Sequence, residues 1–524
     1  MSATRGLVRA SLLVSAAFFA SRALGYVRVG VTTSIFGAGP ELDAFFAAFR
    51  IPDLMFQLVA AGALGSALVP VVAGLLATGG SERAWRIGAT VANLMLVALA
   101  VLAATFALLA PAIVPAITPG FEPTMTERTI ELTRIMLLSP VLLALGAVAA
   151  SLLNAAGSFV AAALAPVIYN VAIIGAAIIL GPTMGVTSLA VGVVAGSAGH
   201  LLIQLPTLRR LAYRHRFAID LRDATARQVL QLMAPRALGL GAVQVTFLVN
   251  TTLASALGAG AITAYTVAFT LLQLPLGLVA QPLGIVALPT MSRAAASGGQ
   301  GELAALVRQA LRLLTFTTLG IAVLAIVLRR EAVTLLFGYG RFDEAAVDAT
   351  AGALGIFLLG LPAHSAIAIL ARAFYAAQDT RTPMLGAVLA VGVNVAVSVA
   401  TVGELGIRGL ALGIAAGAWL EATFLVIRLA GAMAGLSAVR EAAGWLRSAV
   451  LAAVAGAVTW TALTAFGWTG PLQESGKLAV ALVAATATAA FGALYVGLAG
   501  AFRQSEPATI ARLVVAAVRG RRGT

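Results

Sequence analysis

Cysteine is absent from this chain of 524 residues, so disulfides and thiolate-bound metals are excluded. The three histidines are scattered, too sparse for a zinc site, and no acidic cluster offers a cage for a hard cation. Charge is scarce too: Asp, Glu, Lys and Arg make up 10% of the residues, against about a quarter in a soluble chain. With 60% of the residues hydrophobic, a water-soluble fold has nowhere to bury them. Nucleophile–base pairs and glycine-rich phosphate loops are also missing, so the chain reads neither as an enzyme nor as a protein that needs a cofactor. Lys477 is the only lysine, and the net charge of +14 rests on arginines set between apolar stretches. That pattern suits loops anchored at a membrane surface, with no nucleic-acid partner.

Long uncharged runs stand where charge is missing. A helix that crosses a bilayer needs about 20 mostly apolar residues. About fourteen such runs occur, near 8–34, 41–75, 86–111, 132–155, 158–180, 184–208, 227–254, 262–292, 307–328, 346–377, 383–402, 407–430, 444–467 and 477–501. Membrane barrels are excluded, because their segments are about 10 residues long and alternate in polarity. The first run follows Arg5 and Arg9 like a signal peptide, but hydrophobic segments come at once with no small-residue cleavage site, so it reads as a retained helix. With the N-terminus inside, the inner loops gather Arg83, Arg86, Arg209, Arg210, Arg214, Arg216, Arg222 and the tail arginines, while the outer loops hold few. This asymmetry puts both termini in the cytoplasm of a multi-pass inner-membrane protein. In the tail, Ile510, Leu513, Val514 and Ala517 share one helical face, as in a helix lying on the inner leaflet.

The text also repeats. Gly37-Ala38-Gly39, followed by Ala47, Phe49 and Pro52, recurs as Gly258-Ala259-Gly260 with Ala268, Phe269 and Pro275. Asn154 with Asn170-Val171-Ala172 and Tyr375 with Asn394-Val395-Ala396 follow at an offset similar to that between Gly37 and Gly258. The expected fold is therefore an all-α polytopic membrane protein of about 14 transmembrane helices, two six-helix parallel repeats plus two additional C-terminal helices. Its parts are an N-terminal lobe over 1–215, a C-terminal lobe over 216–435, the two added helices over 436–502 and a basic tail over 503–524. Parallel repeats predict a cavity between the lobes.

Charges inside spans cost roughly 2.5–3.5 kcal/mol each at a helix centre, so they are kept for function or for pairing. Here they gather in the first two helices. Asp43 and Arg50 stand nearly two full turns apart, and Asp53 lies one turn beyond Arg50. Arg50 with Asp43 or Asp53 reads either as an ion pair locking the helices or as an anion site. Arg22 and Arg28 diverge on a straight helix, and Gly25 between them permits a bend that aims both inward. Arg236 follows Pro235 on a third helix. Arginine forks suit phosphate oxygens. Gln244, Asn250, Gln273, Asn394 and Ser398 offer oxygens to a coupling ion or act as hydrogen-bond glue between helices; His200 and His364 stand singly and read as structural.

These residues resemble those of the MurJ/MviN family of lipid II flippases, in the multidrug/oligosaccharidyl-lipid/polysaccharide exporter superfamily. The matching text includes Ser21-Arg22 through Gly25 and Arg28, Phe36-Gly37-Ala38-Gly39, Asp43 through Arg50-Ile51-Pro52, Pro119-Gly120-Phe121, Pro235-Arg236 and Gln273-Leu274-Pro275. The run from Arg372 to Pro383 is the most specific. The resemblance implies an alternating-access flippase for lipid II; a coupling ion or the membrane potential is the expected drive. Its pyrophosphate would meet Arg22, Arg28 and nearby cations, and its polyprenyl tail would follow a groove near the last two helices. Where the family usually carries charge, this chain has Val29, Phe56, Gln57, Ala61 and Thr270. Those departures leave two alternatives, a flippase for another undecaprenyl-linked glycan and a non-transporting scaffold of the cell-wall machinery.

Overall fold

A computed structural model describes residues 2–59, 63–433, 435–468 and 476–520, and among them every regular element is a helix. The chain begins with α1 (Ser2–Phe36), α2 (Pro40–Val59), α3 (Ala63–Ala77), α4 (Ser81–Ile117), α5 (Pro123–Met136), α6 (Leu138–Ala155), α7 (Val160–Ile179), α8 (Gly181–Met184), α9 (Thr187–Leu202) and α10 (Leu205–Arg210). It continues with α11 (Ala224–Ser255), α12 (Ala261–Pro275), α13 (Gln281–Ala296), α14 (Gln300–Val327), α15 (Arg329–Phe337) and α16 (Glu344–Leu359). The last are α17 (Leu361–Ala376), α18 (Arg381–Leu405), α19 (Ile407–Ala432), α20 (Ala438–Ala465), α21 (Gly476–Ala501) and α22 (Glu506–Gly520). Helix is the only way for an open chain to satisfy its backbone inside hydrocarbon.

Ten helical stretches among the described residues are long and apolar enough to cross a bilayer, eleven when α16 and α17, bent by 44°, count as one. The other three of the fourteen apolar runs are also helical: α1, α2 with α3, and α11. These three carry Arg22, Arg28, Asp43, Arg50, Asp53 and Arg236. The difference from fourteen thus falls on the helices with charges in their spans.

Contacts group the chain into two units. One holds Met1–Thr263 with Tyr339–Ala346, and the other holds Ala264–Gly338 with Val347–Thr524. In the first, Leu64, Leu68, Val91, Leu152 and Val229 form one core, drawn from α3, α4, α6 and α11; Leu42, Leu132, Ile173 and Leu189 form another. The segment 339–346 reaches this unit from far along the chain. Arg341 N–H donates to the Ser34 carbonyl at 2.8 Å, and Gly340, at φ +59°, lies so close to the same oxygen that no Cβ would fit there. In the second unit α20 and α21 pack on α14, where Tyr495 OH donates to the Phe316 carbonyl at 3.0 Å. Pro275 precedes a π-helical turn, Leu276–Ala280, that joins α12 to α13. Ile510 of α22 packs beside Phe316 and Phe491; the side chains of Leu513, Val514 and Ala517 lie outside the described residues.

Close helix approaches recur at the spacing of the sequence repeat. A Cβ on Gly192 would lie 3.0 Å from Ile173 Cα, and one on Gly413 would lie 2.7 Å from the Asn394 carbonyl. A Cβ on Gly196 would lie 2.8 Å from the Tyr169 carbonyl oxygen, and one on Gly417 would lie 2.6 Å from that of Ala390.

Candidate functional site

α2 starts at Pro40, where proline needs no hydrogen-bonded N–H, and carries Glu41 and Asp43 in its first turn. Asp43 is buried, with 1% exposure. Its carboxylate accepts from Gly260 N–H at 2.6 Å, Thr263 N–H at 2.7 Å and the Thr263 hydroxyl at 2.6 Å. These are groups at the start of α12, which has no partner of its own for its first N–H groups. A carboxylate from α2 caps them and meets the positive end of the helix dipole. Asp43 is therefore not the partner of Arg50. Nearly two turns of helix put about 10 Å between the two positions even though they share a face.

Arg50 turns instead to α11. Its Nε donates to Thr251 Oγ1 at 2.8 Å and its guanidinium lies 5.7 Å from the centroid of the Phe247 ring. Asp53, half-buried, lies within reach of the Arg50 charge and accepts from Gln57 Nε2 at 3.5 Å. Of the two acidic candidates, Asp53 is thus the one electrostatically coupled to Arg50.

α1 runs unbroken through Gly25, around which there is open space. Arg22 is exposed and stacks over Phe18 of its own helix at 5.4 Å. Arg28 is half-buried over the ring of Tyr169 on α7, at 5.8 Å. The two arginines are thus held by different neighbours. Arg236 belongs to α11, but its side chain lies outside the described residues, as does Ala61.

The candidate ion ligands fall in separate units. Asn250 of α11 is fully buried in the first. In the second, Asn394 and Ser398 stand one turn apart on α18 and face Gly413 of α19, whose missing side chain makes room for them. Both are buried, and Asn394 Nδ2 and Oδ1 and Ser398 Oγ have no hydrogen-bond partner among the described residues. Among the described residues no three His, Asp or Glu side chains gather as metal ligands.

Thr251, Phe247, Gly260, Thr263 and Tyr169 are invisible as partners in the sequence, since each lies far along the chain from the side chain it serves. Two other charges are visible as breaks in apolar runs. Glu421 sits in α19 against Gly386. Arg372, which opens the most specific stretch of family text, lies over Gly284 and donates to Gln281 Oε1 at 3.2 Å. Its place is structural: it ties α17 to α13 next to the π-helical turn.

Residues 32–471 match the family model described as lipid II flippase MurJ. The chain is 33% identical over 519 residues to the lipid II flippase MurJ of Burkholderia cenocepacia, covering 94% of this chain and 96% of that protein. It is 31% identical over 432 residues to the probable lipid II flippase MurJ of Rhizobium meliloti, covering 81% and 80%. Among solved structures it resembles a lipid II flippase MurJ in an inward closed conformation, with a TM-score of 0.76 at 21% identity over 92% of this chain and 98% of that one. An inward-facing multidrug resistance MATE family transporter of the MOP superfamily follows at a TM-score of 0.65 and 19% identity, over 78% and 95%. The two structures speak for the fold, and the sequence matches speak for the lineage. On that ground the chain belongs to the MurJ family of lipid II flippases.

Proposed function

We propose that the protein carries lipid II, the polyprenyl-pyrophosphate-linked precursor of peptidoglycan, from the cytoplasmic to the periplasmic leaflet of the inner membrane by alternating access. The observation that carries this reading is the match along 94% of the chain to a relative of that name. No bond is made or broken in such a step. The task is to replace the water around a pyrophosphate with fixed cations while it passes hydrocarbon. Arg28, set on an aromatic face and without a carboxylate partner among the described residues, offers its charge to such an anion. Arg50, held by Thr251, is the second contact; Arg22 and Arg236 complete the set, with Gly25, Asp43 and Asp53 in support. Asn250, Asn394 and Ser398 are the positions for a coupling ion, and the unpaired polar atoms beside Gly413 support the latter two.

A second reading, transport of a different undecaprenyl-linked glycan, is favoured by the positions that lack family charge. Val29 is buried, Phe56 packs in an apolar cluster, and the Thr270 hydroxyl donates to the Thr266 carbonyl. Complementation separates the two: cells depleted of their own lipid II flippase should grow when this chain is supplied. Normal membrane levels without growth would reject lipid II as the substrate. The orientation, with both termini cytoplasmic, is tested by cysteines at Ser81 and Glu122, on either side of α4 in a chain that has no other cysteine. They should label from opposite faces of the membrane; labelling from one face would end the fourteen-span topology.

A further inference from the structure

The linker between α10 and α11 alternates two kinds of side chain. Tyr213, His215, Phe217, Ile219 and Leu221 take the odd positions, and Arg214, Arg216, Asp220 and Arg222 take even ones. Successive side chains of an extended backbone point to opposite sides, so the segment is a strap with an apolar edge and a mainly basic edge. α4 holds it in place. Asn93 Nδ2 donates to the carbonyls of Arg216 at 2.7 Å and Ala218 at 2.9 Å, and Asp220 N–H donates to Thr90 Oγ1 at 3.3 Å. Tyr213 meets Trp85 edge-on at 5.8 Å, and His215 meets Phe217 at 4.7 Å.

Against the apolar edge lies a slot of about 250 Å³, walled by Leu96, Leu145, Ala149, Leu152 and Leu205 and bordered by Phe217. Phe217 is 88% exposed, an unusual position for phenylalanine unless something apolar covers it. Asn93, also in the wall, is buried, and its Oδ1 has no donor among the described residues. On the basic side, Arg216 is taken by Glu82 at 3.2 Å and Arg83 by Asp223 at 3.0 Å. Arg209, Arg210, Arg214 and Arg222 are exposed and have no carboxylate partner among the described residues.

We propose that the slot and strap bind an anionic phospholipid, phosphatidylglycerol being the probe. One acyl chain fills the slot under Phe217 and the phosphate meets the free arginines. The lipid clasps the linker to the first unit. Binding as such rests on this geometry alone; only its assignment to the inner leaflet rests on the orientation proposed above.

The test uses the full-length protein in phosphatidylcholine vesicles, with Trp419, Trp445, Trp460 and Trp468 replaced by phenylalanine so that Trp85 is the sole reporter. A minor fraction of lipid is brominated on its acyl chains, either as phosphatidylglycerol or as phosphatidylcholine. Brominated phosphatidylglycerol should quench Trp85 more strongly at equal mole fraction, and each of Arg209→Gln, Arg210→Gln and Arg214→Gln should lower that preference roughly fivefold. Ala149→Leu, which fills the slot, should weaken quenching by both lipids. Inorganic phosphate added in solution should change nothing. Equal quenching by the two lipids, or a preference that survives the triple arginine variant, overturns the proposal. So does displacement of the brominated lipid by inorganic phosphate, or by a polyprenyl pyrophosphate, which would make the slot part of the transport path. None of these readouts requires transport, so failure here and failure of complementation are separate results.

Discussion

In the first half of the chain Gly192 packs on Ile173 and Gly196 on the Tyr169 carbonyl; in the second, Gly413 packs on Asn394 and Gly417 on the Ala390 carbonyl. The spacing is that of Gly37 and Gly258, and the approach of backbone to backbone is the same. The side chains around it are not. At this spacing Arg28 is matched by Val249, Asp43 by Ala264, Arg50 by Leu271 and Asp53 by Leu274. Ile173 in turn is matched by Asn394, His200 by Glu421 and Ser151 by Arg372. What the repeat preserves is the set of places where a side chain does not fit, because a close-packed helix pair tolerates no added carbon there. What it leaves free is polarity. The first half has placed charges in α1 and α2, and the second has placed Arg372 in α17, Glu421 in α19 and uncharged donors and acceptors beside Gly413.

The largest expected effect breaks the comparison on its charged side. Arg28→Ala should abolish support of growth in flippase-depleted cells while the protein still reaches the membrane, since a lost charge eases insertion. Arg28→Lys should recover only part, as a point charge does not reproduce a fork. Full growth with alanine removes Arg28 from the site. Next comes Asp43, whose replacement by alanine leaves the buried Gly260 and Thr263 N–H groups without an acceptor. It should cost about 3 kcal/mol of stability, read as a lower melting temperature in detergent. Because Asp43 serves α12 and not Arg50, adding Arg50→Ala should not restore the loss, and the two effects should add. Rescue by the double variant would show an ion pair after all.

A smaller effect sharpens the packing side. Gly413→Ala drives a methyl group into Ser398 Oγ and the Asn394 backbone, whereas Gly192→Ala meets Ala176 Cβ at 2.8 Å. Overpacking of this kind costs about 1–3 kcal/mol, and the Gly413 variant should melt lower than the Gly192 variant. The reverse order would deny the equivalence of the two contacts. The smallest effect lies at the first-half surface, where Arg83 Nε donates to Asp223 at the start of α11. That hydrogen bond holds the Asp223 carboxyl down to about 2, from an ordinary 3.8. A depressed value stabilises the fold above the unfolded value, and the gain is lost as pH falls through the folded one. The contribution of this pair to melting should therefore stay constant from pH 7 to about pH 5 and fade in the range from about 4 to 2. Asp223→Asn should flatten that acid limb; an acid limb unchanged by the substitution would show that other carboxylates set it.

The spans are legible in the sequence because hydropathy is local: the described residues of each apolar run are mainly helical. The repeat is legible for a related reason, since glycine pairs such as Gly37 and Gly39 mark turns wherever they occur. The partners within the site are not. That Asp43 caps a helix starting only at Ala261, or that Arg50 leans on Thr251, depends on which helices become neighbours. A heptad spacing reports only a shared face. Packing also carries α11, which opens the second repeat in the sequence, onto α2, α3 and α4 of the first unit. The linker strap is present in the alternation from Tyr213 to Arg222, yet its arginines make the stretch read as a basic loop and mask the apolar edge.

Tyr339–Ala346 also constrains the order of events during synthesis. Ser34 leaves the ribosome long before Arg341, whose amide binds its carbonyl. The first helices can enter the membrane early, but their unit is not closed until α14 and α15 have been threaded behind them. Until then the Ser34 carbonyl must be satisfied by water or by a provisional neighbour. A nascent chain arrested before Tyr339 would lack this contact, so a piece of the first unit is supplied only after α15 has been made.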